Sequence, residues 1–336
     1  MLQLDNQTPF AASLAVLPDK AGIDTLYVVI KATVNLRPKL SLAAMQVPVS
    51  LVDEYYEDPA NSSLKLHSDM HIGKAGTDVL MMGHARAPKG QPAEGVIVSL
   101  SIAERSKRVL VMGDRTWRSD GSPSPPQPFS AIPLVWERAF GGMHVRDDRV
   151  FAEERNPVGC GFRGKCGPDE MVDQPVPNLE DPVAPIGSWD DSPTPACFAA
   201  IAPSWLPRRA FAGTYDAAWQ RARAPYLPPD FDHRFFQLAS SDLCFERYLQ
   251  GGEQAHIEGV DEESALEFTV PMARPTVEVS IAKTIKEAEP KLETLLFEPD
   301  ENRASMTWRA SMPCDRQALR VEKAVIKMRR STRVYA

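Results

Sequence analysis

Thirty prolines against nineteen glycines, spread through 336 residues, constrain this chain more than any other feature of it. Proline removes a backbone donor and clashes with the preceding helical turn, so long helices are ruled out through much of the sequence. Strands joined by rigid loops are the building material that remains. The length leaves room for one large core or two packed domains. Hydrophobic residues at 43% and charged residues at 25% are the proportions of a globular protein with a real core.

Several runs read as strands. Ile23 to Asn35 is rich in β-branched and aromatic residues, and Leu26 to Ile30 is continuously apolar, as in a strand covered on both faces. Val96, Val98, Leu100 and Ile102 alternate with mostly small or polar neighbours, the mark of a half-buried strand, and Lys107 to Met112 adds another apolar run. Leu266 to Val270, Thr276 to Ile281, Lys291 to Phe297 and Ser305 to Arg309 read the same way. Leu319 to Met328 fits a strand and an amphipathic helix equally poorly.

Between about Asp120 and Gln250 the periodicity fades into proline-rich sequence that nevertheless carries Trp136, Phe140, Trp189, Trp205, Tyr215, Trp219 and Phe231. A disordered linker lacks such an aromatic load, so this stretch reads as ordered, irregular structure. One short helix is expected within it, with Thr214 as N-cap, Asp216 in the first turn, Tyr215 and Trp219 on one face, and Pro225 ending it. The expectation is a mainly β fold of sandwich-like sheets with a long irregular Pro-rich centre and one or two short helices. It divides into a β-rich region at 1–120, an irregular aromatic segment at 121–250 packed on it, and a β-rich region at 251–336 that completes one body.

Net charge of −7 argues against a general nucleic-acid or anionic-membrane surface. Neither a secretory leader nor an apolar run of roughly 18 residues is visible, so a cytoplasmic protein is expected. Five cysteines at irregular spacing fit reduced thiols better than a disulfide framework. Residues 251–300 hold twelve Asp or Glu against four Lys or Arg. Such a block is either a set of solvated faces, the preferred reading, or an acidic patch for a basic partner.

His67-Ser68-Asp69-Met70-His71 is the best catalytic candidate, because on a strand His67, Asp69 and His71 project from one face and can hold a metal with its activated water. A metal-dependent hydrolase is the alternative function this implies; the plainer and preferred reading makes the three polar residues at a surface or strand end. Asp230-Phe231-Asp232 beside His233 offers paired carboxylates but reads better as a turn after Leu227-Pro228-Pro229. No nucleophile elbow or phosphate-binding loop is present.

A string of short motifs runs through most of the chain: Asn6-Gln7-Thr8-Pro9-Phe10, Lys31-Ala32-Thr33, Thr77-Asp78-Val79, Gly113-Asp114-Arg115 with Trp117, and Glu137-Arg138-Ala139-Phe140-Gly141-Gly142. It continues with Asn156-Pro157-Val158-Gly159, Pro177-Asn178-Leu179-Glu180, Trp205, Ala212-Gly213-Thr214-Tyr215-Asp216 with Trp219, Asp230-Phe231-Asp232 and Gly251-Gly252-Glu253. In order and approximate spacing this string resembles a family catalogued as a domain of unknown function and encoded beside type VI secretion spike genes. The resemblance implies an adaptor or chaperone that binds and stabilises a toxic effector and helps load it onto the VgrG spike or its PAAR tip, with no enzymatic activity, catalytic residues or cofactor. After about Ser311 the chain departs from the family pattern. Candidates for partner contact are Trp117, Phe140, Trp205, Tyr215, Trp219, Asp230 and Asp232, with most of the aromatics expected in the core and one or two exposed.

Overall fold

A computed structural model describes residues 2–329 and is mainly β, with only two short α-helices among the described residues. The longer strands, in chain order, are β1 (Gln3–Asn6), β2 (Ala11–Pro18), β3 (Asp24–Asn35), β4 (Asp78–Met81), β5 (Gly95–Ile102) and β6 (Arg105–Met112). They continue as β7 (Met143–Arg146), β8 (Arg149–Ala152), β9 (Gln254–Glu258), β10 (Leu266–Thr269), β11 (Pro275–Ile281) and β12 (Thr284–Ala288), then β13 (Lys291–Glu298), β14 (Arg303–Pro313) and β15 (Val321–Met328).

The central sheet runs β2-β3-β14-β13-β4, with only the β13–β4 pair parallel. Ten successive residues of β3, Thr25 to Val34, are buried, as the apolar run Leu26 to Ile30 requires of a strand covered on both faces. A second sheet orders Leu179–Glu180, β6, β5, β9 and β10, and a third orders β1, β15, β11 and β12. Both the central and second sheets mix strands from the two ends of the sequence: β14 lies between β3 and β13, and β9 lies between β5 and β10. One large apolar core joins the three sheets, and a smaller cluster gathers Trp117, Phe140, Met171, Val176, Ile186 and Trp189.

The ambiguous segment at Leu319 to Met328 resolves as the strand β15, whose Val321, Ala324 and Ile326 are buried, after a short 3-10 turn that ends at Arg320. The expected short helix exists as α2 (Ala217–Ala222), after α1 (Pro168–Met171), but its cap differs from expectation. Asp216 is the N-cap and accepts the Trp219 N–H at 2.8 Å, because Thr214 is already held by both oxygens of Asp230. No helix among the described residues is long and apolar enough to cross a membrane.

Candidate functional site

The His67–His71 segment is not a strand, so its polar side chains do not project from one face of a sheet. It is irregular backbone following the strand Leu64–Leu66, and it lies over the central sheet with His67 and Asp69 buried. The surface or strand-end reading is overturned as well, since these groups form part of an interior charge network. Asp69 Oδ2 receives the Lys31 ammonium at 2.9 Å and the Ser50 N–H at 2.8 Å, and His67 Nε2 stands 3.7 Å from Asp69 Oδ1. His71 receives the Gly73 N–H on Nδ1 at 3.1 Å, while its Nε2 lies 3.0 Å from the Arg309 guanidinium.

The network extends along β13 and β14. Arg309 donates Nε–H to Glu293 at 2.8 Å and Nη2–H to the Asp69 carbonyl at 2.5 Å. The other Glu293 oxygen takes the Lys74 N–H at 3.0 Å, and the Lys74 ammonium holds Asp78 at 2.7 Å and the Thr294 hydroxyl at 2.8 Å. Lys31 with Asp69, Lys74 with Asp78, and Arg309 with Glu293 are thus three buried and balanced pairs, which a low-dielectric interior tolerates only when paired and hydrogen-bonded.

Burial drives the protonation states. It holds His67 down at about 3 against the opposing pull of Asp69, and burial together with Arg309 holds His71 well below the usual histidine value. Burial also works against the charge of Asp69, but Lys31, His67 and the Ser50 N–H outweigh it and keep the carboxyl below its ordinary range. Among the described residues no group of three or more His, Cys, Asp or Glu side chains is placed to hold a metal ion. Burial pushes the Cys160 thiol up to about 11 and the Cys197 thiol to about 12, which disfavours the thiolate at both.

The network anchors the irregular lobe that carries most of the aromatic residues. Phe236 stacks on His71 with ring centres 4.9 Å apart, and His233 donates Nδ1–H to the Gly73 carbonyl at 2.8 Å. A carbonyl can only accept, which fixes the proton on that nitrogen. Arg208, buried and drawn down to about 10 by desolvation, donates to the carbonyls of Phe235 and Ile201. Asp232 caps the short turn His233–Phe236 and chelates Arg234. Asp230 holds Thr214, so both candidate acids brace loops.

At the outer end of this lobe lies a surface cluster of rings. Tyr215 is 53% exposed and meets Trp219 edge-on at 4.7 Å, and Tyr226 is 41% exposed. Trp219 donates Nε1–H to the Tyr226 carbonyl at 2.8 Å, and Arg223 lies 5.6 Å from the Tyr226 ring. Arg223 also donates to the Lys20 and Ala21 carbonyls of the β2–β3 turn, tying the rings to the central sheet. Of the candidate contact residues, then, Tyr215 and Trp219 come together at the surface, whereas Trp117, Phe140 and Trp205 are buried. Tyr226 was not among those candidates; it follows Pro225, beyond the end of α2, where no helical period marks it.

Several of the other motif residues build a knot that runs from the surface into the interior. Glu137 accepts the Ser63 N–H and hydroxyl, Arg138 donates to Asp114 and Asn178, and Arg115 pairs with Glu180. Gly141 has φ of 154°, and a Cβ there would stand 2.1 Å from the Asn156 carbonyl oxygen, so only glycine fits where these two motifs cross. Asn156 closes the knot by donating to the Trp136 and Phe140 carbonyls.

No curated protein and no solved structure matches the chain. A family model described as an uncharacterized protein conserved in bacteria (DUF2169) matches residues 21–309, a span that takes in the charge network, the aromatic lobe and the knot, and ends at Arg309. With most of its length inside that match, the chain belongs to the DUF2169 family.

Proposed function

We propose that this protein is a non-enzymatic adaptor that binds and stabilises a type VI secretion effector in the cytoplasm and helps mount it on the VgrG spike or PAAR tip. The observation that carries a binding role is the surface cluster of Tyr215, Trp219 and Tyr226. Tyr and Trp are enriched among the residues that dominate interface energetics, because they bury large, rigid area at small entropic cost. Here the Trp219 ring is fixed by its hydrogen bond to the Tyr226 carbonyl, and Arg223 ties the same loop to the β2–β3 turn, so less ordering remains to oppose binding. The link to secretion rests on the motif resemblance. No observation favours the metal-dependent hydrolase: Asp69 Oδ2 and His71 Nδ1 are engaged by Lys31, Ser50 and Gly73, and among the described residues no three His, Cys, Asp or Glu side chains are placed to hold a metal.

Affinity purification of the tagged protein from its native cells, with mass spectrometry of what is retained, tests the proposal. The expected result is one dominant toxin together with a spike or tip protein, both depleted when Tyr215→Ala and Trp219→Ala are combined. Recovery of no specific partner would overturn it, as would recovery of a partner indifferent to both substitutions.

A further inference from the structure

Gly73 sits where the charge network meets the aromatic lobe, with an imidazole at each end of it. It gives its N–H to Nδ1 of His71 at 3.1 Å, and its carbonyl takes Nδ1–H of His233 at 2.8 Å. The His71 side chain, 9% exposed, also carries the Phe236 ring, stacked on it at 4.9 Å. At its other nitrogen, Nε2, His71 meets a second donor, the Arg309 guanidinium at 3.0 Å. A neutral imidazole accepts at one nitrogen and a protonated imidazole at neither. Protonation of His71 therefore displaces the Gly73 N–H and sets a full positive charge against that of Arg309.

We infer that His71 is an acid-operated joint, whose protonation frees the turn His233–Phe236 from the central sheet while the sheet stays folded. The charges that face the ring from each side leave the new cation uncompensated. Arg309 comes from β14 and Arg208 from the lobe, while Lys74 and His67 lie on the segment of His71 itself. Glu293 of β13 stands 3.9 Å from Nε2, but that oxygen already takes Arg309 and its other oxygen takes the Lys74 N–H. Asp69 and Asp78 are committed to Lys31 and Lys74. Stacking on Phe236 favours a cation only weakly, and a guanidinium at 3.0 Å opposes it more strongly. His233 makes its bond as a donor, so charging it leaves that bond intact, and the Gly73 N–H is the contact that acid removes.

The sign follows from linkage. Burial and Arg309 hold the closed ring well below the ordinary histidine value of about 6.5, which the ring regains when the joint opens into water. The joint is therefore at its firmest above about pH 6.5, and opening gains about tenfold for each unit below it. The joint is independent of the adaptor reading and stands or falls on its own measurement.

That measurement is hydrogen exchange of the full chain at about pH 7.5 and about pH 5, expressed as protection relative to intrinsic rates. The amides of Phe235 and Gln237, bonded within the turn, should lose about thirtyfold in protection between the two. They should stay far less protected than β3 and should not respond to dilute urea, the mark of a local opening. His71→Asn offers its Oδ1 to the same Gly73 N–H, as in an Asx turn, and takes no proton, so it should hold the protection constant. His67→Gln should leave the thirtyfold loss in place, since that ring lies against Asp69. No loss, a loss that grows with urea as global unfolding does, or a loss that persists in His71→Asn would overturn the inference. The urea comparison uses the unaltered chain and decides even where a variant fails to fold.

Discussion

Replacing Asp69 by Asn leaves the Lys31 ammonium, 2% exposed, without its counter-ion in the interior. Breaking a buried pair from one side costs about 3–5 kcal/mol, far more than the pair contributes relative to an apolar substitute. Asp69→Asn and Glu293→Gln should each lower the unfolding free energy by that order in urea titration, and a loss under 1 kcal/mol would mean the groups are hydrated. The histidines add a pH dependence of definite sign. His67 titrates near 3 in the folded protein against about 6.5 when unfolded, so between these values only the unfolded chain takes up the proton. Its stabilising contribution is therefore complete above about pH 6.5 and is lost on acidification at up to about 1.4 kcal/mol per pH unit, with His71 acting in the same direction. Urea midpoints compared at about pH 7.5 and about pH 5 should fall steeply, and the fall should shrink in His67→Gln.

At the scale of elements, α2 holds the surface rings in place, and a helix of six residues depends on its cap. Asp216→Ala should cost about 1 kcal/mol locally and speed amide exchange at Trp219, with global stability nearly unchanged; equal exchange rates would show that ring packing alone holds the helix. The strands were legible wherever burial follows a simple period: β3 as a continuous apolar run, and β5 by alternation of Val98, Leu100 and Ile102. β2 escaped notice because AASLAVLP is an edge strand of small residues, half-buried along most of its length without alternation. The cap was misplaced because the competitor for Thr214, Asp230, is sixteen residues away and joined to it only by the fold. The His67–His71 segment misled for a related reason: its partners Lys31, Glu293 and Arg309 come from β3, β13 and β14, and pairing across such distances leaves no local trace. Half of the twelve acids at 251–300 are likewise answered from elsewhere, among them Asp261 by Arg37, Asp300 by Arg86 and Glu278 by Lys327.

The whole molecule is bound together by the order of its strands rather than by its sequence thirds. β14 comes late in the chain but supplies the neighbour of β3 on one side and of β13 on the other, and Trp308 on it stacks near Phe10 at 6.1 Å. β9 from the same third closes the second sheet against β5. A chain ending at residue 250 would expose one edge of β3 and the apolar faces that β13 and β14 cover. Long-range pairing of this kind gives no return until both ends are present, since loop closure must precede the contacts that offset it. The fragment 1–250 alone should therefore show no cooperative thermal transition by circular dichroism, and adding 251–336 as a separate chain should restore one. A sharp transition in the isolated fragment would instead mean that the aromatic lobe and the knot around Asn156 form a core able to stand without the central sheet.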